Sequence, residues 1–96
     1  MRSFVFTLGF HEDFILRRLS AKSARRGEPI LVFTAAPVVP GVRRAYASLV
    51  EYCERLGLER PSLVELDLRE TPAALLEARR ALSGLEGPVV ADLGAG

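Results

Sequence analysis

The sequence predicts an α/β domain, a parallel sheet in the order 3-2-1-4 with helices on both faces. Two observations carry the prediction. Apolar runs of strand length alternate with helical patterns at short intervals, and no repeat or low-complexity segment interrupts that βαβ rhythm. Three of the four runs lack polar alternation, as strands covered on both faces do, whereas the third alternates as an edge strand does. Right-handed crossovers between parallel strands, with the third strand at an edge, then favour 3-2-1-4.

The first strand is Ser3 to Thr7, ending at the stretch Leu8-Gly9-Phe10-His11-Glu12. In the helix that follows, Phe14, Ile15 and Leu19 share a stripe, and Arg17, Arg18, Lys22, Arg25 and Arg26 occupy the rest up to a stop at Gly27. Pro29 to Thr34 (PILVFT) is the second strand. After the loop AAPVVPG (35–41), Val42, Ala45, Tyr46, Leu49, Cys53 and Leu56 recur at helical spacing until Gly57 supplies a C-cap. That spacing puts Cys53 on the buried face.

Ser62 to Leu68 (SLVELDL) is the alternating strand, with Val64, Leu66 and Leu68 on one face and Leu63, Glu65 and Asp67 on the other. Thr71-Pro72 starts the third helix, a capping hydroxyl followed by proline at the first helical position, and Leu75, Ala78, Leu82 and Leu85 form its stripe. Pro88 to Leu93 (PVVADL) is the fourth strand, running into Gly94-Ala95-Gly96. Read as a central strand, it predicts a sheet that is incomplete at the C-terminus over residues 1–96, with an apolar edge that promotes association.

Composition narrows the function classes. With 96 residues, about half of them apolar, and a net charge of +1, the chain is at most one small globular domain without the clustered basic field that nucleic acid demands. There is no charged leader with a cleavage site and no apolar run long enough for a bilayer, so the cytoplasm is the expected compartment and no membrane partner is expected. Cys53 is the only cysteine, which excludes an internal disulfide. The chain has no Asn or Gln and only one Lys, Lys22, a bias read here as that of a thermophile ahead of the alternative, a GC-rich genome.

In the order 3-2-1-4 the first and fourth strands are neighbours, so the loops after them, 8–12 and 94–96, open onto one crevice at the carboxyl edge. Both contain glycine, which permits positive φ and brings backbone N–H groups close to a ligand. Neither G-x-G-x-x-G nor a Walker lysine is present. Glu12 and Asp13 suit the helix dipole but repel a phosphate seated on it, so any nucleotide here is held by loop backbone and by base or ribose contacts. A plainer reading stands beside this one: Gly9 merely turns the chain and Phe10 fills core.

His11, Glu12 and Asp13 are consecutive and do not converge on a metal, and the basic stripe of the first helix reads as solvated charge. Asp92 either orients a ribose hydroxyl or hydrogen-bonds neighbouring loop amides, and no His or Ser completes a triad with it.

The opening MRSFVFTLGFHEDFILRRL, with TxGF and an acidic residue two positions after the Phe, resembles the N-terminus of archaeal Csa-type CRISPR-associated transcriptional regulators. The loop AAPVVPGVRRAYASL and the strand ending ADLGAG are similar to that family too, so the resemblance spans nearly the whole chain. It implies a CRISPR-associated Rossmann fold (CARF) domain, hence a Rossmann-like sheet. It also implies a homodimeric sensor of cyclic oligoadenylate, typically cyclic tetra-adenylate, with no cofactor and with DNA bound only through a winged helix absent from these residues. Carried over by position, the first motif places Thr7, Leu8, Gly9, Phe10, His11 and Glu12 at the ligand. The second places Asp92, Leu93, Gly94, Ala95 and Gly96 there. Family members often carry Asn or Asp where His11 stands. Two alternatives remain: a ring nuclease, for which Thr7 would position the ribose although no Lys lies near either loop, and an interaction scaffold whose glycines are structural.

Overall fold

The computed structural model describes residues 1–93. Within them strands and helices alternate as β1 (Ser3–Thr7), α1 (Asp13–Ala21), β2 (Ile30–Ala35), α2 (Pro40–Leu56), β3 (Ser62–Leu66), α3 (Thr71–Ser83) and β4 (Val89–Asp92). All pairings are parallel, and the sheet order is β3-β2-β1-β4, as the polarity contrast between strands predicts.

The two faces of the sheet carry separate cores. Phe4 and Phe6 of β1 and Ile30 and Val32 of β2 pack under α1 and α2 with Ile15, Leu19, Leu49 and Cys53. Val5, Leu31 and Phe33 point the other way and are covered by Ala78, Ala81 and Leu85 on the α3 side. Right-handedness explains the division: β1-α1-β2 and β2-α2-β3 advance in one direction, whereas β3-α3-β4 returns past β2 and β1 and must use the opposite face. The switch point thus lies between β1 and β4.

Several boundaries differ from the sequence reading. Helix α1 ends at Ala21 and not near Gly27, so Lys22, Arg25 and Arg26 belong to the turn, where Ser23 has φ 52°, and no basic stripe continues along a helix. Strand β3 ends at Leu66; Asp67 accepts hydrogen bonds from Arg69, and Leu68 is 63% exposed. In α3 Ala74 is buried and Ala78 and Ala81 are partly buried toward the sheet, with Leu85 just beyond the helix packed beside them, while Leu75 and Leu82 face outward. Thr71 does not cap α3: its hydroxyl donates backward to the Leu68 carbonyl. As expected for residues 1–96, strand β4 forms an edge of the sheet, with Val89 half exposed. Gly57 does close α2 in the left-handed conformation, φ 71°, and Cys53 is fully buried, which pushes its thiol up to about 11.

Candidate ligand-binding crevice

The site is built where β1 stops. Leu8 stays tied to β2: its N–H donates to the Phe33 carbonyl at 2.8 Å, and its own carbonyl accepts the Thr34 hydroxyl at 3.0 Å. At Gly9 the chain leaves the sheet, and by Glu12 it has entered the N-cap of α1, whose carbonyl accepts the Ile15 and Leu16 N–H groups. His11 is exposed, and Asp13 sits in the first helical turn, where the dipole favours a carboxylate.

Phe10 does not fill core. It is 64% exposed, and its ring lies against the first turn of α2, where a Cβ added at Gly41 would come within 2.6 Å of ring carbon Cδ1. Gly41 therefore makes room for the ring, a purpose unrelated to the helix itself. The same two segments, with His11, Glu12, Arg44 and Ser48, line a cavity of about 290 Å³.

The strand next to β1 on its other side is β4. Its register sets Asp92 beside Phe6, so Asp92 and Leu93 lie next to the β1 segment that feeds the Thr7–Glu12 loop. Two guanidinium nitrogens of Arg18, Nε and Nη2, donate to Asp92 Oδ2 at 3.1 and 3.0 Å, tying the end of β4 to α1. Leu93 is 61% exposed. Gly94, Ala95 and Gly96 lie outside the described residues.

Thr7 occupies a different position from the one its loop suggests. By strand alternation its side chain shares the face of Val5, toward α3, and its Oγ1 is buried without a hydrogen-bond partner. Beside it is a cavity of about 230 Å³ lined by Thr7, Leu8, Phe33, Thr34, Ala35, Leu66 and Leu68. Sequence reading missed Phe33, Leu66, Leu68 and Gly41. A glycine in the first turn of a helix was the available signal for Gly41; the cavity had none, because strand ends and a turn create it jointly.

Positive φ occurs at Gly27, Gly57 and Gly87, not at Gly9, so handedness is not the reason for glycine at position 9. Among the described residues no group of His, Cys, Asp and Glu is arranged to hold a metal, and no helix is long and apolar enough to cross a membrane.

A parallel sheet in this order, with the loop after β1 opening beside the switch point, defines a Rossmann-like domain. The chain belongs to the family of Csa3 CRISPR-associated Rossmann-like domains, which it matches over residues 2–96. It is 31% identical over 93 residues to Csa3 of Saccharolobus solfataricus, a CRISPR locus-related protein to which a DNA-binding role has been ascribed. That alignment covers 97% of this chain and 39% of the relative, so the chain spans about two-fifths of that protein's length.

Proposed function

We propose that this domain senses cyclic oligoadenylate, with cyclic tetra-adenylate as the expected ring, for a CRISPR-associated transcriptional regulator. The observation that carries the reading is the pairing of β1 with β4, which sets Asp92 and Leu93 beside the Thr7–Glu12 loop in a domain of this family. The ligand contacts Thr7, Leu8, Gly9, Phe10, His11 and Glu12 on one side. On the other it meets Asp92 and Leu93, together with residues 94–96. Because the acidic pair Glu12–Asp13 opposes a phosphate on the helix terminus, bare backbone at Gly9 and the base and ribose contacts supply the affinity.

A ring with two-fold symmetry matches a homodimer in which each copy offers the same loops to each half. Any DNA contact is assigned outside residues 1–96, in line with the role ascribed to the longer Csa3 relative. Calorimetry with cyclic tetra-adenylate, and with linear tetra-adenylate as the control, tests the reading. Saturable heat with the ring alone, lost in Gly9→Val and kept in Arg25→Ala, supports it. Absence of heat with the ring overturns it.

A further inference from the structure

We propose that the cavity of about 330 Å³ at the amino edge of the sheet binds a terminal phosphate, held by the Lys22 and Arg25 side chains and the free nitrogen of the Arg2 guanidinium. The inference is independent of the ring ligand. Phosphates of a cyclic oligoadenylate are all diesters, and this cavity lies at the opposite edge of the sheet from the loop after β1.

The cavity forms where the segments ahead of β1, β2 and β4 meet, bounded by Arg2, by the turn after α1 and by Pro88. Its side chains supply three cations, Arg2, Lys22 and Arg25, against one carboxylate, Glu28. That carboxylate is already committed. It is buried and accepts from Arg2 Nε and Nη2 and from the Arg2 and Arg25 N–H groups, so its charge cancels that of Arg2. Among the described residues the Lys22 and Arg25 side chains make no hydrogen bond or ion pair. Like charges gathered round one cavity repel, and a shared anion converts that repulsion into attraction.

Arg2 is the fixed point of the site. Glu28 holds its Nε and Nη2, the Ser23 carbonyl accepts from Nη2 as well, and the Phe4 ring lies 5.2 Å from its Cζ. Only Nη1 is left to donate, from a guanidinium whose orientation is set before any ligand arrives. The carbonyl end of α1 is adjacent and opposes an anion, but the Lys22, Ser23 and Ala24 N–H groups cap its last carbonyls. A phosphomonoester fits what remains: it carries roughly two negative charges and three acceptor oxygens, and its one substituent can leave toward solvent. A carboxylate or a phosphodiester brings a single charge, and the diester must also pass its chain on both sides.

Calorimetry on the chain at constant ionic strength tests the site, with inorganic phosphate, adenosine monophosphate and dimethyl phosphate as probes. Inorganic phosphate and adenosine monophosphate are expected to bind saturably, the tighter of the two showing whether the free ion or its ester is the ligand, and dimethyl phosphate about tenfold more weakly. Lys22→Ala and Arg25→Ala should each weaken adenosine monophosphate about fivefold while melting as wild type, since neither side chain has an intramolecular partner. Arg26→Ala, in the same turn but outside the lining, should stay within twofold of wild type. No saturable binding of either monoester or ion, equal binding of dimethyl phosphate, or unchanged affinity when Lys22 and Arg25 are both replaced by Ala overturns the site.

Discussion

The amino and carboxyl edges of the sheet are finished differently. At the amino edge the polar groups around the strand starts are paired. Glu28 accepts from Arg2 Nε and Nη2 at 2.8 and 3.0 Å and from the Arg25 N–H at 2.7 Å, the Ser3 hydroxyl donates to the Glu86 carbonyl, and the Arg2 guanidinium lies 5.2 Å from the centre of the Phe4 ring. At the carboxyl edge a hydroxyl is left unpaired, and Phe10, Leu68 and Leu93 are exposed. The difference separates two tasks. One edge fixes where the strands begin, and the other keeps open the surface that a ligand can complete.

Substitution at Gly87 is expected to break the comparison from the stable side and to have the largest effect. Gly87 has φ 75°, and a Cβ there would fall on the Met1 carbonyl oxygen. Gly87→Val adds a branched side chain in the left-handed region to a backbone collision, so a loss of about 3 kcal/mol is expected in denaturant melts. A melt within 1 kcal/mol of wild type would mean that the N-terminus gives way freely and that this edge is not tightly held.

Glu28 comes next. Its carboxyl is pulled down from 4.5 to about 2, chiefly by the Arg2 guanidinium, with the Arg25 and Arg2 N–H groups adding and burial opposing. A depressed folded-state pKa means that the unfolded chain binds the proton more readily, so Glu28's contribution is complete above about 4.5 and is lost as pH falls toward about 2. Glu28→Gln should lower the melting temperature at pH 7 by on the order of 5 °C. It should also flatten the decline between pH 4.5 and 2, and an unchanged acid limb would show that other carboxylates govern it.

The same contrast explains what the sequence could disclose. Strand order was legible because burial on two faces leaves β1 and β2 without charged residues or polar alternation, whereas β3 keeps Ser62 and Glu65 at its exposed positions. The stripe of α3 was misread because Leu75 and Leu82 outweigh alanines in any apolar pattern, yet the small side chains Ala74, Ala78 and Ala81 are the ones that lie toward the sheet. The end of α1 was misread because Arg and Lys continue a helical pattern as readily as they fill a turn. The site was legible only where glycines punctuate the loops. Nothing periodic announces that Thr7, Phe33 and Leu66 share a cavity, since they come from three strands.

Gly41 sharpens the comparison from the open side. Alanine at 41 is a better helix residue than glycine, so Gly41→Ala should keep stability within about 1 kcal/mol of wild type. Its methyl nevertheless displaces the Phe10 ring, and with it the loop between β1 and α1. Affinity for cyclic tetra-adenylate should fall roughly fivefold, about 1 kcal/mol. Unchanged affinity would place Phe10 outside the ligand's reach.

The smallest stability effect is expected at Arg18, and it is the most informative about the crevice. The Arg18 side chain is 44% exposed and that of Asp92 23%, so the pair is wet, and Arg18→Ala should cost no more than about 0.5 kcal/mol. The pair nonetheless joins the helix that follows the first loop to the strand that carries the second. If holding Asp92 in place matters to binding, Arg18→Ala should weaken cyclic tetra-adenylate roughly threefold, about 0.7 kcal/mol, while the melt barely moves. Arg18→Lys separates orientation from charge: lysine keeps the positive charge but cannot donate twice to one carboxylate oxygen from a rigid fork. A lysine variant that binds like alanine, with a deficit insensitive to salt, identifies orientation as the cause. Recovery by lysine, with a deficit that fades at high ionic strength, identifies long-range charge instead.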